Sequence, residues 1–136
     1  MSKVDITIAI NTVSDWLDSK KISQTKREKQ QPMIDNLVEA VAEGKLVLTE
    51  DGKWEQILDF PIKDEHGTDI QKTIKYKARI TDLDIAKHNK AIKGVAFSDE
   101  LNKTILALTD LPLNFALGLD RSTDKPVAES IAFFFL

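Results

Sequence analysis

Residues 45–80 read KLVLTEDGKWEQILDFPIKDEHGTDIQKTIKYKARI, and this stretch decides the fold. Lys45–Thr49 and Trp54–Ile62 flank Glu50-Asp51-Gly52-Lys53, and Asp-Gly is a favoured hairpin pair because both central residues of the tightest turn need positive φ. Asp64–Asp69, with Gly67, is a second turn signal. Beyond it Ile70, Lys72, Ile74, Tyr76, Ala78 and Ile80 alternate with Gln71, Thr73, Lys75, Lys77 and Arg79, giving a mostly apolar face and a wet one. The same period puts Trp54, Leu58, Phe60 and Ile62 on one side of the second strand. A three-stranded antiparallel meander over 45–80 is expected.

Upstream the period changes from 2 to 3.6. Ile6, Ile10, Val13 and Leu17 form one stripe of an amphipathic helix from about Asp5 to Ser19, although the alternation across Val4–Ile8 and its β-branched residues equally suit a strand. Residues 20–31, KKISQTKREKQQ, keep only Ile22 as an apolar side chain and carry five basic residues against one acid, so a solvated basic linker or a frayed helix end is expected. Pro32 then opens a helix to Glu43 with Met33, Ile34, Leu37, Val38 and Val41 as its apolar face, and Gly44 stops it.

Downstream the chain is helical and punctuated. Thr81 with Asp84 three residues later resembles a capping box, and Gly94 ends that helix. Ser98 caps the next, with Asp99 and Glu100 in its first turn and Leu101, Ile105 and Leu108 on its buried stripe. Pro112 opens a short turn, Leu113–Leu119, and a last helix starts near Thr123 or Asp124 with Val127, Ala128, Ile131 and Phe134 or Phe135 facing inward. The fold class is therefore α+β: N-terminal helices over 1–44, the meander over 45–80 and a helical part over 81–136. With 136 residues, 42% hydrophobic and 30% charged, these are expected to share one domain.

Composition narrows the function classes. The absence of cysteine excludes disulfides, thiolate nucleophiles and cysteine-based metal centres. Nineteen basic against 22 acidic residues give a net charge of −3, which draws the molecule onto neither nucleic acid nor anionic lipid. No stretch approaches the roughly 18 apolar residues of a membrane span, and the N-terminus does not read as a signal peptide, so a cytoplasmic location is expected. His66 and His88 have no partner at metal-helix spacing, and Asp82 and Asp84 read as first-turn acids. No nucleophile elbow or phosphate-cradling loop occurs, so no catalytic residue, cofactor or metal is expected and the chain reads as non-enzymatic.

Two surfaces invite partners. The chain ends Phe133-Phe134-Phe135-Leu136, and residues about 100° apart on a helix cannot all face one core, so another subunit or a partner is expected to cover part of this tail. Trp54 and Phe60 are further candidate contacts. Against these stands a basic alternative: Lys75, Lys77 and Arg79 on one strand face, with Lys20, Lys21, Lys26, Arg27 and Lys29, form a candidate nucleic-acid surface that lacks interleaved aromatics.

The order of several short phrases is also informative: Leu58-Asp59-Phe60-Pro61-Ile62, then Arg79-Ile80-Thr81-Asp82-Leu83, then Ile105-Leu106-Ala107-Leu108-Thr109-Asp110-Leu111-Pro112, then Ala116-Leu117-Gly118-Leu119-Asp120. Over about residues 54–135 this resembles the tail assembly chaperones of long-tailed bacteriophages. Asp110 stands where that family commonly has glycine. The resemblance implies a non-enzymatic protein of virion morphogenesis, in the host cell cytoplasm, that binds the tape measure protein and the major tail tube protein and is absent from the mature virion. In such phages the gene commonly ends near a programmed ribosomal frameshift, which the Phe133–Leu136 ending permits. A homo-oligomer is compatible with an apolar tail; a small nucleic-acid-associated regulatory protein is the alternative.

Overall fold

The computed structural model describes residues 3–92 and 100–136, excepting the side chains of 88–92. Gly94, Ser98 and Asp99, and the side chain of His88, lie outside these residues. The architecture is α+β: α1 (Ile6–Ser19), α2 (Gln24–Lys29), α3 (Gln31–Ala42), β1 (Leu46–Leu48), β2 (Trp54–Lys63), β3 (Asp69–Lys75), α4 (Asp82–Ile92), α5 (Glu100–Thr109), α6 (Leu113–Leu117) and α7 (Asp124–Phe133). The strands form an antiparallel sheet in the order β1-β2-β3. Leu46, Gln56 and Ile74 share the buried face, whereas Val47, Glu55 and Lys75 share the open one.

Local chemistry accounts for the element ends. The Asp5 carboxylate accepts the Thr7 amide at 2.8 Å and caps α1, resolving the helix–strand ambiguity in favour of helix. After α3, Gly44 sits at φ 79°, and the Gly44 and Lys45 amides donate to Val41 and Ala40 carbonyls, a Schellman stop. Thr81 donates its amide to the Asp84 carboxylate at 2.8 Å at the start of α4, as the capping pattern predicts. The first hairpin turn differs from the expected tight form, and the second turn, expected around Gly67, is built the same way. Only Gly52 and Gly67 adopt positive φ, and each donates its amide three residues back, to Thr49 and Asp64. Glycine follows the turn here; Asp51 does not share its conformation.

The meander departs from strict alternation in β2. Ile57 pairs with Thr73 and Ile62 with Gln71, so the four residues 58–61 stand opposite Lys72 alone. Pro61, which has no amide to donate, falls in this bulge. The freed amides of Asp59 and Phe60 donate instead to the two carboxylate oxygens of Asp124, at 2.8 and 3.0 Å. The Asp124 carbonyl accepts Gln56 Nε2 at 3.0 Å, and Gln56 Oε1 accepts the Tyr76 hydroxyl at 2.6 Å. Gln56, Tyr76 and Asp124 are all buried. Burial pushes the Asp124 carboxyl up while the two amides pull it down, and burial likewise pushes the Tyr76 phenol up, keeping it a neutral donor.

Three expectations are corrected. Phe60 does not share a face with Trp54 and Leu58; the bulge turns it outward, 57% exposed. The third strand ends at Lys75 rather than Ile80, because the Lys77 amide leaves the sheet to bond the Leu108 carbonyl at the end of α5. Residues 20–31 are not simply a linker. Ser23 accepts the Lys26 amide at 3.2 Å to start α2, and Arg27 holds the Ile22 carbonyl and Asp18.

The core joins all three parts of the chain in one hydrophobic cluster. Helix α3 packs on both α1 and α7, and α5 packs on α7 and α4. Among the described residues no helix is long and apolar enough to cross a membrane. Asp110 follows α5 at φ 55°, a left-handed conformation that favours glycine, and its carboxylate meets Lys77 Nζ at 3.0 Å.

Replacing Asp124 by Ala orphans two amides and is expected to lower stability by about 2–4 kcal/mol in urea denaturation. At position 110 the usual order reverses: Asp110→Gly is expected to be more stable than Asp110→Ala by about 1 kcal/mol, measured the same way.

A candidate binding groove between the N-terminal helices

Helices α1 and α3 lie antiparallel, with the Val4 amide donating to the Ala42 carbonyl at 3.0 Å across the open end and α2 bridging the other. The residues that α1 buries are Ala9, Val13, Trp16 and Leu17. At about 100° per residue, Ala9 and Trp16 lie about 60–80° to one side of Ile6, and Ile10 lies about 40° to the other. The core therefore takes the Ala9/Trp16 flank, and the expected stripe is corrected: Ile6 and Ile10 are 54% and 50% exposed. Small Ala9 and large Trp16 set this rotation, because Trp16 packs against Trp54 with ring centroids 5.4 Å apart and planes tilted by 60°.

The displaced isoleucines face Ile34, Val38 and Ala42 of α3 across a groove of about 750 Å³ with Leu17 on its floor. One lip is acidic. Asp35, Glu39 and Glu43 follow at steps of four, which places them on one side of α3. Asp35 accepts Gln31 Nε2 at 2.8 Å and Glu43 meets Lys45 Nζ at 2.8 Å, while Glu39 has no partner among the described residues. Neither α1 nor α3 contains Lys or Arg. The cation lining the groove, Arg27 of α2, is held by Asp18 at 2.7 Å. The arrangement offers apolar contact along its length and negative charge along one edge.

The residues singled out from sequence are placed differently. Trp54 and Phe134 are buried and meet at Trp16, Phe134 edge-on at 5.9 Å; neither is open to a partner. Phe135 lies 6.1 Å from Trp16 with Lys20 Nζ 3.6 Å above its ring. The cover expected from another molecule is thus supplied in large part by α1 of the same chain. Phe133 is half-buried and Leu136 is 56% exposed. Phe60 opens onto a separate concavity with Ile70 and Phe115, rimmed by Asp64, Glu65 and Asp120.

The basic stripe is not assembled as one strand face. Lys75 lies 4.0 Å from Glu55, Lys77 is held by Asp110 and lies 3.9 Å from Asp84, and Arg79 is exposed beyond the strand. His66 is exposed in its turn, and no group of three or more metal-ligating side chains occurs among the described residues. Comparison with protein-family models, curated proteins and solved structures gave no match.

Sequence reasoning missed the groove because it assigned Ile6 and Ile10 to the core. Ile6, Ala9, Ile10, Val13, Trp16 and Leu17 span about 120° of α1, the ordinary width of a core-facing stripe, so periodicity alone does not show which flank the core covers.

Ile6→Ser with Ile10→Ser is expected to change stability by less than about 1 kcal/mol, against about 2–5 kcal/mol for Leu37→Ala in the core, read from urea midpoints. A pH effect sits at the tail. Burial first, then Arg79, lowers Lys20 from the ordinary 10.5 to about 8. The unfolded chain therefore binds the proton more strongly between these values, and this contribution to stability rises with pH across about 8 to 10.5. Subtracting the stability profile of Lys20→Met from that of the wild type is expected to leave that rise; a flat difference overturns it.

Proposed function

We propose that this chain is a tail assembly chaperone of long-tailed bacteriophages, a non-enzymatic protein that holds the tape measure and major tail tube proteins in the host cytoplasm while the tail is built. The observation that carries the binding part of this reading is the apolar groove between α1 and α3, an exposed surface that the chain's own core leaves uncovered. Support for the family part comes from Asp110, whose φ of 55° is the conformation that glycine, the family's usual residue there, adopts at least cost. The contact assigned to the Phe133–Leu136 tail moves to the groove, since Phe134 belongs to the core. Leu136 remains exposed beside it in sequence.

Co-expression with the tail proteins encoded beside its gene, followed by purification in low and high salt, tests the proposal. Retention of the tape measure protein through high salt, and its loss from the Ile6→Ser/Ile10→Ser chain, is the expected result. Recovery of nucleic acid at low salt only, or of no tail protein, overturns it.

A further inference from the structure

We infer that the α1–α3 groove takes a basic amphipathic helix, about three turns long, whose apolar face lies on Ile6, Ile10 and Val38 and whose Lys or Arg side chains reach the Asp35/Glu39 lip. This rests on reading the groove as a partner site and adds the chemistry of the occupant. The floor suits a helix. Ile6 to Leu17 spans about 16 Å and Asp35 to Glu43 about 12 Å at 1.5 Å per residue, the length over which i, i+3, i+4 and i+7 anchors of a docked helix repeat.

Charge decides which helix. The groove is lined by Asp35, Glu39 and Glu43, neither α1 nor α3 carries Lys or Arg, and the lining Arg27 is engaged by Asp18 as Glu43 is by Lys45. A second copy docking through the same face brings the same lining and so no cation for Glu39 beyond the engaged Arg27, since a two-fold interface uses the same patch on both sides. An acidic or neutral helix leaves Glu39 facing either a like charge or nothing. A cationic helix supplies the missing partner for Glu39 and speeds encounter with a wall of one sign.

Two fluorescently labelled helical peptides serve as probes, identical in their leucine repeat and bearing either Lys or Glu along one flank. Titration of the full chain by anisotropy is expected to show binding of the Lys peptide and at least about tenfold weaker binding of the Glu peptide at low salt, with the gap narrowing as salt is raised. Asp35→Lys/Glu39→Lys is expected to reverse the preference, and Ile6→Asp/Ile10→Asp to abolish binding of both, with circular dichroism confirming that these exposed substitutions leave the fold intact. Equal affinity for the two peptides, binding of neither, or a self-associated dimer that Ile10→Asp dissociates in sedimentation overturns the inference. The two readings fail separately. Binding of the Lys peptide by a chain that captures no tail protein removes the phage assignment alone, while undiminished capture by Asp35→Lys/Glu39→Lys removes the charge-selective groove alone.

Discussion

The Asp124 carboxylate, at the first residue of the last helix, holds the two backbone amides that β2 releases at its bulge. Much of the architecture follows from that bond pair. It lets β2 bend at Pro61 without leaving buried donors unpaired, which a sheet interior does not tolerate. It fixes the start of α7 against the sheet, so that the far end of α7 delivers Phe134 to Trp16. Trp16 in turn sets the rotation of α1, and that rotation leaves Ile6 and Ile10 on the surface. The polar chain from Tyr76 through Gln56 to Asp124 makes the arrangement specific, because each buried group has its partner.

Most elements were legible in the sequence because their signals are local. The capping side chain at Asp84, the glycine stop at Gly44 and the turn positions around Gly52 and Gly67 each act within a few residues, while Asp5, read only as the approximate start of α1, proves to be its cap. What was not legible depends on partners distant in sequence. The bulge needs Asp124, more than sixty positions after Phe60; the early end of β3 needs the Leu108 carbonyl; the cover of Phe135 needs Trp16 and Lys20. Periodicity also identifies an apolar face without saying how much of it is buried. On α1 the wide face is divided between core and groove, and only the packing of Ala9 and Trp16 reveals the division.

Charge is distributed unevenly despite a net value of only −3. Three of the basic residues of 20–31 and of the segment after β3 are held this way: Arg27 by Asp18, Lys77 by Asp110 and Lys20 over the Phe135 ring. Exposed pairs of this kind contribute little to stability, about 0–1 kcal/mol each, but they cancel positive field locally. The acidic lip of α3 is cancelled less completely, since Glu39 has no partner among the described residues. The groove is therefore a place where exposed apolar surface and negative charge meet.

The packing of α3 on α7 has a consequence for the order of assembly. Asn36 and Ser130, hydrogen-bonded at 3.1 Å, are 94 residues apart, and Trp16 meets Phe134 over a still longer span. Helices α1 and α3 are near neighbours in the chain and can pair early in synthesis, whereas the surface they share with α7 is closed only when the last helix emerges from the ribosome. Until then Trp16, Leu37 and Trp54 remain without their final cover. The chain thus passes through a stage in which its own aromatic core is the part most in need of shielding.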